Sequence, residues 1–261
     1  MWFDKIMEDC KEALILSKEN KGIFIPVFIK FGISIFSAIV IFLIFFVSMF
    51  GILHSNYDAY DAPELFMKMI PFIVAFILIF TLAFSVINSL LEAGSINLYK
   101  AAAQGTKPST KIFLEGIKTY FLKMFGGSIF LGVVTLVLSP LIFALFILYT
   151  VIIGVLTAGW GMTFLSTIIL VFLLTWPIIV VLDNVSPIQA IGKSLKFGKK
   201  NFWPLFIVLL GYVVLNRYLV TSFGILVTAF GGWFLSGVLS TYFKVVVLLF
   251  YKRESKSEVN N

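Results

Sequence analysis

From Met124 to Leu182 the chain carries no charged side chain. A bilayer core of about 30 Å takes roughly 20 apolar residues per helical crossing, so this one stretch accommodates two crossings and a turn, which the segment TAGWGM around Gly159 is expected to form. No water-soluble fold disposes of so much uninterrupted apolar sequence. Across all 261 residues, 60% are apolar and 13% charged, against about a quarter charged in a soluble domain. The solvent implied is lipid.

Read in this way the sequence is an all-α polytopic membrane protein, a single membrane domain over residues 1–261 with six spans at 23–53, 69–97, 124–156, 162–183, 202–230 and 233–251. The first span is expected to be retained, because the residues before it are charged and amphipathic and the apolar run is too long for a secretory signal. The second is expected to continue as helix to Gly105, placed like a C-terminal cap before Lys107-Pro108. Pro140 and Pro177 are expected to kink the third and fourth, and the paired glycines at 126–127 and 231–232 to mark turns or close packing.

Orientation follows from the basic residues, since cytoplasmic loops carry the excess of Lys and Arg. Lys5, Lys11, Lys18 and Lys21 precede the first span; Lys100, Lys107, Lys111, Lys118 and Lys123 lie between the second and third; Lys193, Lys196, Lys199 and Lys200 lie between the fourth and fifth; Lys252, Arg253 and Lys256 follow the sixth. With six spans all of these fall on one side, and the opposite loops hold only Lys68, beside Asp58, Asp61 and Glu64. The expectation is a bacterial-type inner membrane with both termini cytoplasmic.

Each basic segment repeats one plan: an amphipathic helix of about fifteen residues, an aromatic-rich junction and a pair of spans, in units at roughly 1–105, 106–184 and 185–261. Ile6, Met7, Cys10, Ala13 and Leu14 recur at helical spacing in the first, Ile112, Phe113, Ile117, Phe121 and Met124 in the second, Ile188, Ile191 and Leu195 in the third. The third has the clearest start: Ser186 as cap, Pro187 in the first turn and Gln189 to complete a capping box. Three cytoplasmic interfacial helices are expected, with Lys118, Lys123, Lys193, Lys196, Lys199 and Lys200 facing anionic lipid headgroups, which attract each nearby Lys by about 1 kcal/mol.

The segment LDNVSPIQAIGKSLKFGKKNFWPLF, residues 182–206, has an acid at the end of a span, a P-x-x-A-hydrophobic-x-x-S helix and a basic stretch into N-F-W. It resembles the membrane domain attached to some bacterial glycerophosphodiester phosphodiesterases and related six-span proteins, as does EAGSINLYKAAAQGTKPSTKIFLEGIK before it. The resemblance implies a membrane module that can accompany a lipid-headgroup hydrolase. Nothing outside the spans here is long enough to be that hydrolase.

Ionisable groups at membrane depth cost at least ~2.5 to 3.5 kcal/mol at the centre of a helix and call for partners. Lys30 lies roughly 10 Å into the first span, and Lys244 roughly 12 Å before Lys252. Ser85, Asn88, Ser89 and Glu92 recur at spacings of three and four on one face of the second span, and Asp183 ends the fourth. A polar layer is therefore expected in which Lys30 and Lys244 meet Glu92 and Asp183, with Asn88 completing hydrogen bonds. It reads either as ion pairs that fix helix register or as a substrate or proton site. Arg217, in the outer half, is expected to reach Asp61 or Glu64 or to extend toward the interface.

With a single Cys and a single His no intrachain disulfide or Cys/His metal cluster can form, and no catalytic signature such as G-x-S-x-G or H-E-x-x-H occurs. No catalytic group, cofactor or metal is expected. The net charge of +7 resides beside spans and not on a solvated aromatic surface, so nucleic acid is not expected as a partner. The first functional reading is a non-enzymatic module that organises lipid or a membrane-protein partner at the cytoplasmic face. A small transporter, or an accessory subunit of an export system, is the second; a lipid-headgroup enzyme is the third.

Overall fold

In a computed structural model, residues 2–54, 62–153, 155–222 and 233–259 are described, and among them there is no strand. The helices are α1 (Trp2–Glu19), a 3-10 turn (Lys21–Phe24), α2 (Ile25–His54), α3 (Ala62–Ala103), α4 (Thr110–Ile153), α5 (Val155–Leu173), α6 (Trp176–Leu182), α7 (Pro187–Lys200), α8 (Phe202–Ser222) and α9 (Trp233–Val259). Among the described residues, four stretches are long and apolar enough to cross a membrane: Leu78–Ala103, Thr110–Leu145, Thr163–Leu182 and Phe234–Lys256. Two further pairs meet the same test when joined across a sharp bend, α1 with the start of α2 at 94° and α7 with α8 at 96°. This is a multi-pass helical architecture with four to six crossings.

The two bends fall at Asn20 and Asn201, between the joined segments. At the second, Pro204 has no N–H to donate to the Lys200 carbonyl, so α7 stops there and α8 starts at a new angle. At the first, α1 already ends at Glu19, and Pro26 sits in the first turn of α2, where a missing N–H is tolerated. The second amphipathic segment behaves differently from the sequence expectation: it does not form a separate interfacial helix, because α4 runs without a break from Thr110 to Ile153. Its junction carries Gly126 and Gly127 where the other two carry proline. Glycine weakens a helix by about 1 kcal/mol but keeps its N–H. Gly127 is a close-packing point, since a Cβ there would meet the Trp176 ring at 2.6 Å.

The turn expected at TAGWGM is also absent. Gly159 and Gly161 lie inside α5. Pro140 sits within α4 without interrupting it. Pro177, by contrast, separates α5 from α6, and the Phe172 carbonyl exposed at that break accepts from Ser194 Oγ at 2.6 Å. Ser194 Oγ also lies 2.7 Å from Thr175 Oγ1, and both residues are fully buried. The helix after the break is thus anchored to α7.

Helix ends follow the local sequence. Gly105, at φ +77°, closes α3: its N–H bonds the Ala102 carbonyl and that of Thr106 bonds Ala101, the paired pattern that a left-handed glycine permits. Ser186 and Gln189 form the expected reciprocal box at the start of α7. Lys100 donates to the Val181 carbonyl at 2.9 Å and Lys252 to that of Ala103 at 2.7 Å, so lysines satisfy the last turns of α6 and α3.

Burial is concentrated at this basic end of the bundle, in Ala93, Ile96, Leu98 and Tyr99 of α3, Ile178 to Val181 of α6, Leu205 of α8 and Val245 to Tyr251 of α9. Toward the other end α3 exposes Phe76, Leu78, Ile79, Phe80 and Leu82, and α4 exposes Leu136, Val137 and Phe143. A continuous exposed apolar band of this kind is foreign to a water-soluble surface and matches a hydrocarbon surrounding.

Candidate functional site

A chamber of about 380 Å³ opens between α2, α3, α8 and α9 near the basic end. Helix periodicity builds its walls. Asn88, Glu92, Ser95 and Tyr99 follow one another at steps of four, three and four on α3; Val27, Lys30, Phe31 and Ser34 fall at steps of three, one and three on α2, which keeps them on one face; Ser236, Ser240 and Lys244 recur every fourth residue on α9, with Gly237 and Thr241 beside them; α8 adds Tyr212.

Lys244 Nζ donates to Glu92 Oε2 at 2.5 Å. The two side chains keep 27% and 30% of their surface exposed, so the pair is held at the chamber wall and not sealed in a dry core. Tyr99 OH lies 3.3 Å from Thr241 Oγ1 and closes the deep side. Ser95 Oγ donates back to the Leu91 carbonyl of its own helix at 2.5 Å. Lys30 interacts electrostatically with both Lys244 and Glu92, yet among the described residues it has neither a hydrogen bond nor an ion pair. One carboxylate thus stands between two ammonium groups.

The structure brings four of the five expected layer residues together: Lys30, Asn88, Glu92 and Lys244 all line the chamber. Asp183 is not among them. It pairs with Lys193 at 2.5 Å and accepts from Tyr251 OH at 3.0 Å, because the break before α6 and the cap of α7 turn it toward the basic surface. Ser89, expected on the polar face, is buried against α4 with its Oγ 3.3 Å from Ser128 Oγ. Arg217 donates to Thr163 Oγ1 on α5 at 3.2 Å; Asp61 and the side chain of Glu64, its expected acidic partners, lie outside the described residues and side chains.

Among the expected interfacial lysines, Lys123 donates to Asn184 Oδ1 at 2.8 Å and to its carbonyl at 3.2 Å, which holds α4 to the loop before α7. Asn184 itself sits at φ +53°. Lys118, Lys196, Lys199 and Lys200 are exposed, and Lys193 is committed to Asp183.

Two features escaped the sequence reading. The hydroxyl lining of the chamber was signalled by the four-residue recurrence of Ser236, Ser240 and Lys244 and by the continuation of the α3 stripe to Ser95 and Tyr99. The second is a clasp between chain ends. Arg253 Nη2 lies 2.7 Å from Asp9 Oδ1 and Arg253 Nη1 lies 3.1 Å from Glu8 Oε2, while Lys5 meets Glu254 at 3.1 Å. Tyr242 OH adds a bond to the Cys10 carbonyl at 2.9 Å. Asp9 is 1% exposed and its oxygens lack a hydrogen bond of good alignment despite the guanidinium beside them. Burial pushes its carboxyl up from 3.8 to about 6; Arg253 opposes this, and Glu12, Glu8 and Glu254 reinforce it. No local pattern announces this contact, whose partners stand at opposite ends of the chain.

Among the described residues no group of three His, Cys, Asp or Glu is placed to hold a metal. No protein-family model matches this chain, and neither a curated protein nor a solved structure matches it.

Proposed function

We propose that this chain is an inner-membrane protein of six crossings, made of three related units with both termini in the cytoplasm, that works without catalysis by holding lipid at the cytoplasmic face. The observation that carries the reading is the chamber: Lys30, Glu92, Lys244 and a set of hydroxyls surround about 380 Å³ within otherwise apolar helices. A purely structural ion pair requires only Glu92 and Lys244. It does not require a second lysine or an open space around them, and a bilayer disfavours both unless something polar fills the space. The exposed lysines Lys118, Lys196, Lys199 and Lys200 supply a basic rim at the same end, suited to anionic headgroups. The likeness of residues 182–206 to membrane domains that accompany a lipid-headgroup hydrolase fits the same role, with a membrane-protein partner as its natural extension.

The test is lipid retention. Full-length protein purified in mild detergent is analysed by mass spectrometry of co-purifying lipid, alongside Ser236→Leu and Ser240→Leu, each of which narrows the chamber. Retention by the native chain, reduced in both variants while the melting temperature is kept, supports the reading. A native chain that retains nothing, or variants that retain as much, overturns it.

A transporter is the second reading, favoured by the position of a polar chamber within the spans. It requires flux of a solute across liposomes that contain the purified protein, and a lipid-holding module predicts none.

A further inference from the structure

The charges in the chamber do not balance. Glu92 is engaged by Lys244 at 2.5 Å, and Lys30 faces the same space with no hydrogen bond or ion pair among the described residues. The lining therefore carries one excess positive charge in a region where an uncompensated charge is expensive. An anion removes that cost; a neutral or cationic ligand adds to it.

The donors suit a phosphate. Lysine acts as a point charge, and several such donors can approach the oxygens of a tetrahedral phosphate from different directions. Here the cations are two lysines on different helices, and Ser34, Ser236 and Ser240 add short hydroxyl donors around them. A space of about 380 Å³ lies at the small end of ligand pockets, adequate for a headgroup and not for a whole lipid.

The walls indicate the direction of entry. Phe84 lines the chamber and is 56% exposed, and it continues the stacked exposed row of Phe76 and Phe80 on the same face of α3. Lys30 is exposed on the facing helix α2. The mouth thus lies between α2 and α3 and opens sideways onto the surface that hydrocarbon covers. Phe84 stands eight residues, roughly 12 Å along α3, from Glu92 toward the apolar end, which places acyl chains outside and a polar group inside.

We propose that the chamber between α2, α3, α8 and α9 binds a phosphate ester, the headgroup phosphate of a glycerophospholipid that enters between α2 and α3, with Lys30 contacting the phosphate and the Glu92–Lys244 pair forming the opposite wall. The proposal rests on the lipid-holding reading above and names its ligand.

The experiment is native mass spectrometry of the full chain in delipidating detergent, titrated separately with phosphatidylglycerol, with diacylglycerol and with inorganic phosphate, for the native chain, Lys30→Met and Lys30→Arg. Phosphatidylglycerol is expected to bind the native chain, diacylglycerol to bind at least tenfold more weakly, and Lys30→Met to lose about tenfold in phosphatidylglycerol affinity, the effect of one charge-assisted hydrogen bond. Lys30→Arg, which keeps the charge, is expected to restore most of it. Weak competition by millimolar inorganic phosphate against phosphatidylglycerol supports recognition of the phosphate itself; phosphate binding that equals or exceeds phosphatidylglycerol binding assigns the site to a soluble phosphate and overturns the lipid assignment. Equal binding of diacylglycerol, or a Lys30→Met chain that binds as the native one does, overturns the proposal while leaving lipid holding intact. If no lipid binds at all, both readings fall.

Discussion

Lys244 on α9 reaches Glu92 on α3 at 2.5 Å across a chamber that both helices line, and this pair joins residues 152 positions apart in the chain. Removing one partner of a fully buried pair costs about 3–5 kcal/mol. Because these side chains remain 27% and 30% exposed, Glu92→Gln is expected to cost less, about 1–3 kcal/mol, and Lys244→Met a similar amount. The double variant is expected to recover part of the loss, giving a coupling of about 1–2 kcal/mol in a double-mutant cycle read from unfolding in detergent. Strictly additive losses would mean that the pair contributes nothing as a pair.

The buried carboxyl of Asp9 makes the clasp between chain ends pH-dependent. Its value in the folded chain is raised to about 6 from 3.8, so between these values the folded state binds more protons than the unfolded one, and stability falls as pH rises through that window. Asp9→Asn is expected to remove this part of the slope and to be more stable than the native chain at pH 7, where the native carboxylate is buried and charged. Melting temperatures of both proteins at pH 4.5, 6 and 7.5 check this: their difference should shrink toward low pH. A difference that does not change with pH contradicts the assignment.

Helices α3 and α4 approach closely at Gly116. A Cβ there would lie 2.8 Å from the Ala93 carbonyl oxygen and 2.5 Å from Asn97 Cβ, whereas one at Gly192 on α7 would meet nothing within 4 Å. Gly116→Ala is expected to destabilise by about 1–3 kcal/mol, because backbone cannot move aside as a flexible side chain does. Gly192→Ala is expected to be neutral or stabilising by a few tenths of a kcal/mol or more. Unfolding midpoints of the two variants in the same detergent decide the matter.

Sidedness can be read with cysteines, since the chain has one native Cys, Cys10. Its thiol is half-buried and burial raises its pKa, which lowers its reactivity. In a Cys10→Ser background, cysteines replacing Lys118, Lys196 and Lys256 are expected to react with a membrane-impermeant maleimide only after the cytoplasmic face is opened, and one replacing Lys68 to react in intact cells. Labelling of Lys68→Cys and Lys196→Cys from the same side would refute six crossings.

Much of the architecture is legible from local sequence because each signal acts over a few residues. The apolar runs select helices in lipid, Gly105 and Ser186 end and start helices where caps demand, and Pro177 breaks the fourth span through its missing N–H. The three basic segments look alike as amphipathic patterns. Part of the difference in their outcomes turns on a local residue, since Pro204 stops α7 at Lys200 while Gly126 and Gly127 let α4 continue; α1 ends at Glu19, ahead of Pro26, which only starts the next helix. The expected turn at TAGWGM failed for a related reason: glycine permits a turn without requiring one, and helix is the cheaper state for backbone that has only lipid around it.

The chamber divides along the same line. That Lys30, Asn88, Glu92 and Lys244 needed polar company followed from sequence alone, because a charge at membrane depth demands it and helical spacing says which residues share a face. Which charges meet was decided by tertiary packing. Asp183 sits at a similar level in the sequence reading, but the α5–α6 break and the cap of α7 turn it to Lys193 and Tyr251. The Asp9–Arg253 clasp depends on how α1 docks against the end of α9. Periodicity specifies the face a side chain takes on its own helix; the rotation and crossing of helices, which specify its partner, are set by packing across the whole bundle, where small groups such as Gly116, Gly127 and Ser194 allow close approach.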